Sequence, residues 1–263
     1  MNTSINKNCP YLEDKCKDLQ CDCAKYLAYL DAKDEDKVKA LMEEYNFDVS
    51  LPDWPFIMSM QKSFESRFHS MEHLSKEEME HWLDRYCICI EDEMAEIRDY
   101  LSIFGEPIVS DKSELKKEVI DILHFVMDMY LSVLAKPEEI TKAYEKYYNV
   151  EIKNDLILDA YKIQTKHINE YLNFSSDDNN DFVLIKAMFK MADALRLIRQ
   201  QISWKHWKKP SESINFVRLY ETFAVLFHEF INLTIITIPK AEDIRGIYVK
   251  KNIENIFRQK HNY

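Results

Sequence analysis

Residues 113–130 read SELKKEVIDILHFVMDMY. Leu115, Val119, Ile122, Val126 and Tyr130 recur every three or four positions, the spacing of one face of an α-helix, and the Ser113 hydroxyl is placed to cap its start. Glu118 and Asp121 are three apart and share that face with the apolar residues. Carboxylates on an apolar stripe point towards the edge of a core or a groove between helices, where acids need a partner.

The pattern extends in both directions. Upstream, Trp82, Tyr86, Ile90, Met94 and Ile97 predict a second amphipathic helix, which carries Glu93 and Glu96, again three apart. Ile57, Met60, Phe64 and Phe68 predict another before it. A break at 104–113, with Gly105 and Pro107, separates the two acid-bearing helices and allows them to lie antiparallel. Downstream, Pro137 opens a further helix. The polar stretch NFSSDDNND, residues 173–181, reads as a linker. After it come a helix through Ile185, Met188, Ala192, Leu195 and Ile198, a tryptophan-rich turn, a helix around 216–233 and a last helix after Pro239.

The chain has only two glycines in 263 residues, too few for tight hairpins or a glycine-rich phosphate loop, and helices are the economical solution. The expected fold is all-α. Its organisation is a helical appendage over 1–50, a half bearing the acids over 51–172, the linker 173–181 and a second half over 182–263. The second half echoes the first: MADALRLIRQQ followed by ETFAVLFHEF parallels EDEMAEIRDYL followed by EVIDILHF. Where the first has Glu93, Glu96, Glu118 and Asp121, the second has Asp193, Arg196, Glu221 and Ala224. A tandem duplication would thus leave metal acids in one copy only, giving a pseudo-dimer within a single chain.

A net charge of −11 opposes binding to nucleic acid, whose backbone requires Lys and Arg. No apolar run suggests a membrane span, and the N-terminus has no signal-peptide core, so the expected location is the cytoplasm. Six cysteines without a secretory signal read as reduced thiols. Cys9, Cys16, Cys21 and Cys23 have a spacing that could hold zinc, which would make the N-terminus a regulatory module. Cys87 and Cys89 read as small apolar helix residues.

Four converging carboxylates repel one another unless a divalent cation neutralises them, and an all-oxygen set favours magnesium or manganese. Glu93-Met94-Ala95-Glu96 and Glu118-Val119-Ile120-Asp121 match the ExxE and ExxD signature of the all-α NTP pyrophosphohydrolase superfamily. That group comprises MazG, the dimeric dUTPases and the T-even phage dCTP/dUTP pyrophosphatases, and EVIDILHFVMDM resembles the phage enzymes beyond the acids. The resemblance implies a helical bundle of that type and magnesium-dependent cleavage of a pyrimidine deoxynucleoside triphosphate, dUTP or dCTP, to monophosphate and pyrophosphate. Glu93, Glu96, Glu118 and Asp121 would bind metal, with Glu96 as the base.

MSMQKSFESRF, residues 58–68, is similar to the family's segment around a glutamine that contacts the pyrimidine, which makes Gln61 the expected base reader. Trp204-Lys205-His206-Trp207-Lys208 and the terminal segment around Lys251, Asn255 and Arg258 are similar to the dimeric dUTPase branch. There the terminal segment holds phosphates, and Asn252, Gln259 and Tyr263 are further candidates. The tryptophan segment follows both acid motifs here, whereas in that branch it lies between them. This puts the usual dimer in question and leaves a monomeric pseudo-dimer or a homodimer. The resemblance to phage enzymes further suggests a host cytoplasm. The rival expectation is a catalytically silent helical protein that binds a nucleotide or a protein.

Overall fold

The computed structural model describes residues 50–66, 74–101, 107–109, 112, 114–132, 137–172, 179–202, 214–238 and 240–260. Every regular element among them is a helix: α1 (Asp53–Glu65), α2 (Lys76–Asp99), α3 (Leu115–Ser132), α4 (Pro137–Tyr148), α5 (Leu156–Leu172), α6 (Asn179–Gln201), α7 (Phe216–Thr237) and α8 (Ala241–Lys260). The expected all-α architecture is the one found. Ser113, expected to cap α3, the linker over 173–178 and the N-terminal cysteines lie outside the described residues.

The chain divides into two compact units, Leu51–Tyr248 on one hand and Met1–Ser50 with Val249–Tyr263 on the other. In the larger unit α2 packs on α3 and α6 packs on α7, while α3 meets α7 and α2 meets α6, so these four helices form a bundle. α4 and α5 cover α7, and α1 lies against α3 and α5. In the smaller unit the described residues are Ser50 and the end of α8, where Val249 and Asn252 are buried and Lys251, Glu254 and Asn255 are half-buried.

α7 is the centre of the larger unit because it is apolar on nearly every side: Leu219, Phe223, Leu226, Phe227, Phe230, Ile231 and Leu233 are all buried. Burying each such side chain contributes roughly 1.5–3 kcal/mol. Contrary to the expectation of no apolar run of membrane length, Phe216–Thr237 is long and apolar enough to cross a membrane. The reason is packing. Two thirds of its most apolar window (67%) is buried inside the protein, among four neighbouring helices.

α1 starts at Asp53, two residues before Pro55, so that proline sits inside the first turn. A missing N–H costs nothing there. Trp54 then anchors the helix, its ring edge-on to Tyr130 (6.0 Å) and Phe227 (5.1 Å). Its backbone N–H donates to Asp155 Oδ2 at 2.8 Å. Asp155 is buried and also caps α5, Oδ1 accepting from Leu158 N–H at 3.1 Å. The break between α4 and α5, which hydrophobic spacing does not reveal, runs through Asn149 at φ 51°, a left-handed conformation that asparagine tolerates. α2 opens with a reciprocal cap in which Ser75 Oγ accepts from Glu78 N–H and Glu78 Oε2 accepts from Ser75 N–H. These bonds hold the Glu78 carboxyl below its ordinary range.

Candidate active site

α2 and α3 run antiparallel: Tyr86 lies near Phe125 (6.5 Å between ring centres), while Glu93, two turns further along α2, meets Glu118 and Asp121 at the start of α3. Ile90, Ile97, Leu115 and Ile122 are buried and fix how the helices are rotated against each other. Glu93, Glu118 and Asp121 are therefore carried to the same edge of the interface, half-exposed, each offering an oxygen within 4.8 Å of the others'. Three carboxylates this close repel one another, and a divalent cation relieves that repulsion. The donor set is entirely oxygen and open to solvent on one side. It fits a hard ion such as Mg2+, which retains waters and binds few protein ligands.

Glu96 stands apart from this group. It is one turn beyond Glu93 and exposed. At the matching positions of α6 and α7 no similar set forms: Asp193 pairs with Arg196 at 3.4 Å, Glu221 is engaged by Lys146 at 2.8 Å, and Ala224 is fully buried.

Along α3 the acid-bearing stripe continues inward. Asp128 lies seven residues, two turns, beyond Asp121, a rise of roughly 10 Å. It is buried (3% exposed), and its Oδ1 accepts from Gln61 Nε2 at 2.6 Å. Gln61 Oε1 in turn accepts from the Tyr248 hydroxyl, and the Tyr248 ring stacks on His124 at 4.2 Å, 11° from parallel. His124 Nδ1 faces the Ile120 carbonyl at 2.9 Å. Gln61 itself is completely buried (0% exposed).

Glu65, one turn after Gln61, is hydrogen-bonded to Asp128. Burial pushes both carboxyls up, Glu65 to about 7, and the adjacent Glu65 charge raises Asp128 further, well above the carboxylate range. Each carboxyl of the pair thus holds its proton more tightly than an ordinary carboxyl does. The hydrophobic spacing of α1, α3 and α8 does not single out Glu65, Asp128 or Tyr248. The available signal was the seven-residue repeat from Asp121 to Asp128 and the one-turn spacing from Gln61 to Glu65.

A family model described as dUTPase matches residues 53–223, more than half of the chain. The chain belongs to the dUTPase family. The match spans α1, with Gln61 and Glu65, and both acid-bearing helices, and it ends inside α7. No curated protein and no solved structure matches.

The remaining expected site residues fall elsewhere. Trp204, His206, Trp207 and Lys208 lie outside the described residues, as do Tyr263 and the side chains of Arg258 and Gln259. Lys251 and Asn255 belong to the smaller unit. A groove of ≈ 450 Å³ opens between α2 and α6, with Met94, Ala95, Met188 and Phe189 in its lining. Its lining is mostly apolar, with Glu91 and Arg98 the charged members, and none of the three converging acids is among them.

Proposed function

We propose that this chain is a magnesium-dependent pyrophosphohydrolase that converts a pyrimidine deoxynucleoside triphosphate, dUTP and/or dCTP, to the monophosphate and pyrophosphate. The observation that carries the reading is the convergence of Glu93, Glu118 and Asp121 on one edge of the α2–α3 pair in a chain of the dUTPase family.

These three carboxylates hold the cation, which when bound neutralises charge on the triphosphate and stabilises the leaving pyrophosphate. Glu96 is exposed one turn away and outside the converging set. It takes the proton of the attacking water on a carboxylate oxygen. Two turns along α3 from Asp121, the Gln61 amide reads the pyrimidine edge, a separation that suits a nucleotide stretched from phosphate to base. Gln61 is sealed by packed side chains, so base entry requires part of that packing to open while the bonds that hold the amide stay in place. Lys251, Asn255 and Arg258, together with Trp204, His206, Trp207 and Lys208, remain candidates for holding the substrate, since Lys and Arg neutralise phosphate oxygens and Asn donates without charge. A duplicated chain that keeps one metal site would leave what α6 and α7 have at the matching positions, an ion pair at Asp193, a second at Glu221 and a buried Ala224.

The test is pyrophosphate release from a panel of deoxynucleoside triphosphates with the full chain and Mg2+. Turnover of dUTP is expected, abolished by a chelator, and reduced roughly a hundredfold or more by Glu118→Ala with the helical spectrum unchanged. Release of pyrophosphate from none of them, or undiminished turnover by Glu118→Ala, would overturn the assignment.

A further inference from the structure

Asp128, two turns along α3 from Asp121, fixes which end of the Gln61 amide faces which way. Its Oδ1 accepts from Gln61 Nε2 at 2.6 Å, and on the other side the Tyr248 hydroxyl donates to Gln61 Oε1. All three groups are buried, at 3%, 0% and 0% exposure. Polar groups so deeply buried tolerate little loss of partner, so an amide turned by 180° would set its oxygen against the Asp128 oxygen and lose a bond that water cannot replace.

Glu65 reinforces the arrangement. Glu65, hydrogen-bonded to Asp128, occupies the rest of that carboxyl, and the Asp128 oxygen facing Gln61 accepts from the amide N–H. A protonated oxygen at that place would invite the amide carbonyl instead, and the polarity would be lost.

Polarity matters for a pyrimidine. At ring positions 3 and 4 uracil presents a donor and then an acceptor, whereas cytosine presents an acceptor and then a donor. An amide that turns freely reads both edges, and one held in a single orientation reads one of them. We infer that Asp128 is a specificity-determining positioning residue, which with Tyr248 clamps Gln61 so that the site accepts the uracil edge and rejects the cytosine edge. The inference rests on Gln61 being the base reader; the choice of uracil follows the dUTPase family match.

Two variants and one spectroscopic measurement test it. Asp128→Asn keeps an acceptor for Gln61 and can donate to Glu65, whereas Asp128→Leu removes both. The ratio of kcat/KM for dUTP to that for dCTP is expected to stay within a few-fold of wild type in Asp128→Asn. In Asp128→Leu it is expected to fall at least about tenfold, mainly through gain of dCTP turnover. Independently of turnover, the Gln61 side-chain amide protons in 15N-glutamine-labelled protein are expected to exchange slowly in wild type and in Asp128→Asn. An unchanged ratio in folded Asp128→Leu, equal use of dUTP and dCTP by wild type, or fast-exchanging Gln61 amide protons in wild type would each overturn the clamp. The last of these decides the matter even if Asp128→Leu fails to fold. A slowly exchanging amide in a chain that hydrolyses neither nucleotide would sink the enzymatic reading, and the specificity role with it, while leaving the clamp as a structural feature.

Discussion

Glu65 has a cost that depends on pH. Its carboxyl is pushed up to about 7 because burial disfavours the charged form, only partly offset by its bond to Asp128. The folded chain therefore binds this proton more tightly than the unfolded chain does. Stability from this group is fully present below the ordinary carboxylate range near 4.5 and is lost as pH rises through about 7. Glu65→Gln removes the ionisation while keeping a hydrogen-bonding amide. The variant should lose less stability than wild type between pH 5 and pH 8, with a difference on the order of a few kcal/mol, read from denaturant midpoints across that range. Parallel pH profiles for the two proteins would show that Glu65 ionises as freely in the folded chain as in the unfolded one.

At the level of elements, periodicity located most helices because each buries one continuous stripe: Ile90, Met94 and Ile97 on α2 and Leu115, Val119 and Ile122 on α3 are all buried. The same periodicity explains why three of the four signature acids meet, since residues three apart on facing helices have few places to go. Three features could not be read this way. The boundary between α4 and α5 depends on the backbone of Asn149, and Pro55 proved compatible with a first turn. Asp128 looked like one more acid in an acidic chain because its partners lie 67 residues upstream, at Gln61, and far downstream on α8. Asp155 is a similar case: a single side chain caps α5 and holds the start of α1. Asp155→Ala strands two backbone N–H groups, one of them buried, and should cost roughly 2–4 kcal/mol, visible as a lowered unfolding midpoint with helix content otherwise retained. A loss of a few tenths of a kcal/mol would mean that solvent satisfies both donors.

For the whole molecule, α2 and α3 paired with α6 and α7 build one bundle, yet only the first pair collects acids. The second pair spends the matching positions on packing and ion pairs: Ala224 is buried under α7's neighbours, and Arg196 offsets Asp193. A bundle of this kind supplies one rigid edge at which charge can be concentrated while the second helix pair supplies core. The central claim is that Glu93, Glu118 and Asp121 together bind a divalent cation. The most direct measurement is an anomalous difference map from crystals of the full chain grown with Mn2+. The account predicts one dominant peak bonded to oxygens of Glu93, Glu118 and Asp121, absent from Asp121→Asn crystals; a map without density there, or with manganese held only by other residues, would contradict it.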